Sequence, residues 1–327
     1  MALANLAKNR FLVVGRVGMD LCPDPPGTAT ADAQTMVVSM GGSSANIAAG
    51  IVKLGGAADL VTVVSDDAVG NYCLNQLDHY KVGRQYVRSL ASEVRTSLAV
   101  YESRLENHHS VIYRNNAADF QMNAEDVAKP DYASYGALIT AGTVFAAEPS
   151  RSAAFDAFEH AKAAGIPIIF DVDYRPYSWP SPEVAEEVLS RAGAMSDVIV
   201  GNDEEFGFMA GGIDKGLGKA RELASTSATL VVYKMGPAGA ITFHDGSEIQ
   251  TGIYKTTALK PTGAGDSFMA GLVTSLAEGR PLREAVLRGS AAASYVVARV
   301  GCAVAMPYPN ELAAYMAERT PTEFEEA

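Results

Sequence analysis

Short apolar runs of β-forming residues alternate along this chain with longer, Ala-rich stretches whose apolar positions recur at helical spacing. Phe11 to Val14 predicts a first strand ended by Gly15, and a helical pattern runs from Ala45 to Leu54. ADLVTVV at 58–64 predicts a second strand ahead of a helix from Val69 to Tyr80. ALIT at 137–140 leads into the helix RSAAFDAFEHAKAAG, which Gly165 terminates. IPIIFDV, VIVG and TLVVYK supply further strands, with helical segments between them. Strands buried on both faces read as continuous apolar runs, so the alternation predicts an α/β fold: a mostly parallel sheet covered by helices on both sides.

Two regions interrupt the pattern. Residues 16–41 are rich in Pro, Gly, Thr and Asp and end in the strand-like MVVSM. Residues 94–114 read as two strands, VRTSLAVYES and SVIYR, joined by a polar turn around Glu106 to His109. Neither piece buries two faces alone, so together they predict a small β lid on one domain spanning residues 1–321. The acidic tail, residues 322–327, is expected to fray. Edge strands of an open lid need covering, which makes a homodimer through the lid an expectation, with the monomer as its alternative.

Composition narrows the partners. The 327 residues are 48% hydrophobic and 20% charged, enough for a sizeable core. Lys and Arg number 26 against 38 Asp and Glu, a formal charge of −12. A general basic footprint is absent, which argues against nucleic acid and anionic membrane as partners. Net charge does not describe one pocket, so small anions stay open as ligands. Cys22, Cys73 and Cys302 are far apart and form no CxxC, which fits a reducing compartment. No apolar segment approaches the roughly 20 residues that span a bilayer. A cytoplasmic protein is the expectation.

Chemistry concentrates in three elements. Pro261-Thr262-Gly263-Ala264-Gly265-Asp266 precedes the apolar helical stretch MAGLVTSLA. Glycines ahead of a helix let backbone N–H groups approach an anion, and the helix N-terminus favours negative charge there. An Asp in such a pocket makes sense as a base; its plainer reading is an ordinary residue of a helix start. Gly41-Gly42-Ser43-Ser44-Ala45-Asn46 enters the first long helix, either as a ligand-lining turn with Asn46 facing hydroxyls or as a tight turn capped by Ser44. Asn202-Asp203-Glu204-Glu205 follows the strand VIVG, where open α/β sheets bind ligands. Oxygen ligands there suit Mg²⁺, while Asp203 and Glu204 also suit a helix first turn.

In order and spacing these elements resemble the ribokinase-like (PfkB) sugar kinases over nearly the whole chain. Gly15 to Asp20, GGSSAN at 41–46, SDDAVG at 65–70, NDEE at 202–205, KMGPAG at 234–239 and TGAGD at 262–266 carry the resemblance. It implies a three-layer α/β/α core with a β lid, and transfer of the ATP γ-phosphoryl group to a sugar hydroxyl. It places Asp266 as catalytic base and the Gly263, Ala264 and Gly265 amides as the anion hole. It also places Asn202 and Glu205 by Mg²⁺ and the phosphates. Lys234, Gly236 and Gly239 fall in the nucleotide region, Ser290 falls near the adenine, and Asp20, Gly42 and Asn46 face sugar hydroxyls.

Arg114 in YRNNAADF and Arg175 in DVDYRPYSW stand where kinases of keto-deoxy sugar acids carry arginines, and Arg holds carboxylates by bidentate bonds. DVDYRP, ALKPTGAGD and RGSAAASYVVARVGCAVAMP resemble the 5-dehydro-2-deoxygluconokinase group of myo-inositol catabolism. A 2-dehydro-3-deoxygluconokinase, another sugar kinase, or a non-catalytic binder of sugar acid and nucleotide are the alternatives. Lys260-Pro261 replaces the Asp-Thr that helps bind a monovalent cation in ribokinase, which puts K⁺ activation in question. Asp171 and Asp173 read as organisers of the Arg175 loop rather than as a glycosidase pair. His108 and His109 read as an exposed turn; Trp179 either walls the pocket or packs that loop.

Overall fold

The computed structural model describes residues 2–104 and 109–325. The first strand, β1 (Arg10–Val14), is followed by β2 (Gly18–Asp24), β3 (Thr35–Gly41) and helix α1 (Ser43–Lys53). Next come β4 (Ala57–Ser65), α2 (Ala68–His79), β5 (Gly83–Leu90), β6 (Leu98–Tyr101) and β7 (Ser110–Tyr113). The middle holds α3 (Ala124–Ala128), β8 (Ala137–Ala141), α4 (Ser150–Ala163), β9 (Ile168–Asp171) and α5 (Pro182–Ala194). Then follow β10 (Val198–Asn202), α6 (Asp203–Met209), α7 (Gly216–Thr226) and β11 (Leu230–Lys234). The chain closes with β12 (Ala240–His244), β13 (Ser247–Thr251), α8 (Ala264–Ala277), α9 (Leu282–Val297) and α10 (Pro309–Ala317).

Nine strands form one sheet in the order β13-β12-β11-β10-β9-β8-β1-β4-β5. From β11 to β5 every pairing is parallel; β12 and β13 close one edge as an antiparallel hairpin. The apolar strands feed two cores by alternation. Leu12 and Val14 of β1 join Phe155 and Phe158 of α4, Leu189 of α5 and Leu223 of α7 on one face. Phe11 and Val13 join Ile47 and Ile51 of α1, Met269 and Leu272 of α8 and Val286 of α9 on the other. The expected three layers are present.

The two interrupting regions meet in a second sheet, ordered β3-β2-β6-β7. Its β2–β3 and β6–β7 pairs are antiparallel, whereas β2 and β6 run parallel. Met36, Val37 and Val38 of β3 and Val111 and Tyr113 of β7, on its edge strands, are exposed. The polar turn expected around Glu106 to His109 lies, up to His108, outside the described residues.

Two local expectations need correcting. Ser44 does not cap α1: Gly42 is the N-cap, and Ser44 Oγ donates to the Val14 carbonyl at 3.3 Å. The tail, as far as Glu325, is docked rather than frayed. Thr322 N–H donates to the Ile253 carbonyl at 2.8 Å, and Glu325 N–H to the Ala238 carbonyl at 3.2 Å. Backbone donors there find partners beside β12 and β13 instead of water. Among the described residues no helix is long and apolar enough to cross a membrane.

Candidate active site

Parallel strands point all their carboxyl ends one way, and in open sheets the crevice beyond those ends binds ligands. Here the chain turns at β1, whose neighbours are β4 on one side and β8 on the other. Just past the strand ends stand Arg16 after β1, Asp171 and Asp173 at β9, Asn202 at β10 and Lys234 at β11, with Asn202 and Lys234 in register. They open into a cavity of about 920 Å³. The second sheet walls it with Asp20, Ala99, Tyr101, Ser110 and Ile112. Helices α1 and α8 begin in it, and Asn46 Nδ2 donates to Asp266 Oδ2 at 2.9 Å.

One part of the cavity wall is the start of α8. Gly263 is its left-handed N-cap at φ 85°, and a Cβ there would stand 2.9 Å from Cys302 Sγ. Any other residue is both strained and crowded at this position. Ala264 N–H reaches back to the Pro261 carbonyl at 3.4 Å, while the amides of the next residues have no acceptor within the helix. Asp266 sits on this turn, half-buried by surface but deep in the molecule. Burial first, then the charge of Asp173, push its carboxyl up to about 7, against the pull of the Asn46 donor and Arg175. Such a carboxyl is a far better proton acceptor near neutrality than a surface Asp. Beneath the turn Lys260 is fully buried and its ammonium donates to the Thr262 carbonyl.

Near enough to act on Asp266 by its charge stands Asp20 of β2. Asp20 is packed so closely on Gly41 that any side chain at 41 would overlap its carboxylate. Burial pushes Asp20 up to about 6, with Arg16 and Lys260 pulling it back. Asp20 Oδ1 and Asn46 Oδ1 are both buried and lack a hydrogen-bond partner within the described chain. Two unsatisfied acceptors on residues that line one cavity are the complement of a ligand with hydroxyl donors.

Along the strand ends lies a third group. Asn202 and Glu205 form a capping box: Asn202 Oδ1 accepts from Glu205 N–H and Glu205 Oε2 from Asn202 N–H, both at 2.8 Å. The start of α6 therefore uses Asn202 and Glu205 too, beyond the Asp203 and Glu204 that suit its first turn. Glu205 and Asp171 are buried and pushed up, by burial first, with Lys234 pulling both down. Asp171, Asn202 and Glu205 offer hard oxygens beside Lys234. Among the described residues no group of three or more acidic or His/Cys side chains is arranged to hold a metal. The set fits a cation of the Mg²⁺ kind, which keeps its waters and relies on phosphate oxygens. Gly236, Gly239 and Ser290 also line the cavity.

The structure thus brings Asp20, Gly42, Asn46, Arg175, Asn202, Glu205, Lys234, Gly236, Gly239, Gly263, Ala264, Gly265, Asp266 and Ser290 to one cavity. It directs Arg114 elsewhere. That guanidinium is buried against Asp119, with Nε–Oδ2 at 3.0 Å, donates to the Thr143 carbonyl at 3.0 Å and lies over the Phe120 ring. It lines a separate depression with Asn115, Asn116 and Phe120. The carboxylate that claims it lies five residues along in YRNNAADF, a signal the sequence offered. Arg175 does reach the cavity, its Nη2 2.8 Å from Asp173 Oδ1, and Asp173 also accepts from Ser43 Oγ at 2.6 Å. Trp179 packs into the core on the α4 face, with Arg151 over its ring. Sequence reasoning missed Arg16, two residues past the first strand, and took Lys260 only as a departure from a pattern.

Comparisons with known proteins agree with this layout. Residues 8–309 match the family described as pfkB family carbohydrate kinase. The chain is 36% identical over 301 residues to a 5-dehydro-2-deoxygluconokinase of Photobacterium profundum, covering 90% of this chain and 91% of that protein. It is 34% identical over 312 residues to 5-dehydro-2-deoxygluconokinase 1 of Bacillus cereus, covering 94% of each. A crystal structure of Xylella fastidiosa fructokinase with bound ATP superposes with a TM-score of 0.84 at 20% identity, over 95% of this chain and 99% of that one. Vibrio cholerae fructokinase, a double mutant with fructose, ADP and potassium ion bound, gives 0.83 at 24% identity, over 94% and 98%. A parallel sheet with a ligand cavity at its carboxyl edge, matched along almost its whole length by this family, belongs to a phosphotransferase acting on a sugar hydroxyl: the chain is a member of the pfkB family of carbohydrate kinases.

Proposed function

We propose that this kinase transfers the γ-phosphoryl group of ATP to the terminal hydroxyl of a keto-deoxy sugar acid, 5-dehydro-2-deoxy-D-gluconate, in myo-inositol catabolism. The observation that carries the reading is the pair of buried, unpartnered acceptors on Asp20 and Asn46 beside Asp266, in a cavity that also holds buried cations. The names of the relatives supply the particular acid.

In this reading Asp20 and Asn46 accept hydrogen bonds from substrate hydroxyls, and the hydroxyl to be phosphorylated lies at Asp266. Phosphoryl transfer asks mainly for alignment and charge stabilisation, with a base for the alcohol proton. Asp266 accepts that proton, its basicity raised by burial and its orientation held by Asn46. The α8 amides and Lys234 face the phosphoryl charge as it shifts. Asn202, Glu205 and Asp171 would hold Mg²⁺, which when bound screens the phosphate oxygens. The second sheet, closing over the sugar, would exclude water that otherwise consumes ATP.

An ADP-release assay over 5-dehydro-2-deoxygluconate, 2-dehydro-3-deoxygluconate, fructose, ribose and adenosine tests this. The first acid should give the highest kcat/KM. A preference for a neutral sugar would overturn the acid assignment, and binding of acid and ATP without ADP release would overturn catalysis.

A further inference from the structure

Several cations line the cavity; Lys255 among them is exposed, and three others have an evident task. Lys234 stands beside Asp171 at the phosphate side, Lys260 is tied to the Thr262 carbonyl under the α8 turn, and Arg175 is paired with Asp173 near Asp266. Arg16 differs. Its side chain is buried, yet among the described residues it forms no ion pair; its one hydrogen bond is from Nη1 to the neutral Ser97 Oγ at 2.8 Å. A guanidinium has five N–H donors; Asp20 feels its charge without bonding to it, so most of those donors are left for a bound anion to complete.

The local geometry keeps this group in place. Arg16 lies two residues past β1, and its carbonyl accepts the Ala45 N–H of α1 at 3.2 Å, so its backbone is held by the core. Gly18 makes room for the guanidinium: a Cβ there would come within 2.8 Å of Arg16 Nη1. Its neighbours in the cavity are Asp20, at the sugar end, and the lid strands. Asp266 lines the same cavity and feels the charges of both Asp20 and Arg175.

We propose that Arg16 is the specificity-determining residue that receives the substrate carboxylate, the role the sequence assigned to Arg114. An open-chain acid then lies along the cavity with its carboxylate on Arg16, its middle hydroxyls on Asp20 and Asn46, and its terminal hydroxyl at Asp266. Arg114 is excluded from this role because Asp119 already neutralises it. The inference rests on the sugar-acid reading above and sharpens it to one residue.

The test compares 5-dehydro-2-deoxygluconate with its carboxamide, which keeps the skeleton and loses the charge, in wild type and Arg16→Gln. Wild type should favour the acid. Arg16→Gln should lower kcat/KM for the acid by roughly 30-fold or more, mainly through KM, because a buried charge-assisted pair is lost. The carboxamide and the KM for ATP should be little changed. If wild type shows no preference for the acid, the sugar-acid reading itself falls. If wild type prefers the acid and Arg16→Gln keeps that preference, or loses both substrates equally, the role of Arg16 is overturned while the reading stands. Should Arg16→Gln lack a melting transition, Arg16→Lys keeps the charge without the fork. It should lose acid turnover selectively by about tenfold, and an equal loss on both substrates would overturn the proposal.

Discussion

Two aspartates of the cavity, Asp266 half-buried and Asp20 buried, stand in different surroundings. Asp266 stands on a helix start among other carboxylates, with Asn46 donating to it and its carboxyl pushed up to about 7. Asp20 stands on a strand of the second sheet, pressed against Gly41 and flanked by Arg16 and Lys260, and reaches only about 6. Burial raises both; the neighbours decide how far. A carboxyl raised among other carboxylates suits proton acceptance, whereas one flanked by cations suits accepting hydrogen bonds.

Asp266→Asn should break this contrast most. Turnover should fall by about 10²–10⁴-fold, with KM for the sugar little changed, and steady-state kinetics would show it. Wild-type turnover in that variant would remove Asp266 from the base role. The same variant probes stability. Because the folded pKa lies above the ordinary value of 3.8, the fold favours protonated Asp266. That stabilisation is complete below about pH 4 and is lost as pH rises through about 7. Asp266→Asn should therefore melt above wild type at pH 8, by roughly 1–3 kcal/mol, with the gap closing toward pH 4.

Next in size, the wild-type pH profile should show kcat/KM falling about tenfold per unit below pH 7, as protonation removes the base. A profile flat from pH 5 to 8 would contradict the tuning of Asp266. Lys260→Met should then lower kcat by about tenfold to a hundredfold by unfixing the turn that carries the anion-binding amides, with a smaller effect on sugar KM. Wild-type rates should be the same in potassium and tetramethylammonium salts if the buried ammonium serves that turn. Asp20→Asn should cost about tenfold in kcat/KM, mostly through KM, since it keeps a hydrogen-bonding oxygen and loses the charge. Smallest in catalysis, Arg114→Met should leave both substrate constants near wild type while lowering the melting temperature, because it strands Asp119 in the interior.

Much of this architecture was legible from local pattern. Continuous apolar runs such as VIVG and IPIIFDV announced strands buried on both faces, and Gly165, left-handed at φ 67°, ended the helix it was expected to end. The Gly263 to Asp266 turn was legible because its demands are local: a left-handed backbone, a helix start and an acid one turn in. The capping box at Asn202 and Glu205 was equally local, but the same oxygens also suit a metal, and spacing does not separate the two uses. Arg114 and Arg16 were harder. Each is an arginine beside a strand, and nothing in periodicity says which one has a carboxylate within reach.

By itself, then, the sequence determined the layers, the order of strands and helices, and the turn that carries Asp266, since these follow from backbone conformation and the spacing of apolar residues. Only the tertiary structure decided which charges are neutralised. Asp119 closes on Arg114, Arg16 keeps its donors for the cavity, Lys260 is sealed under the anion turn, and the tail docks beside β12 and β13. The physical reason is that propensity and periodicity act over a few residues. Desolvation and ion pairing act through space, between groups the sequence sets far apart.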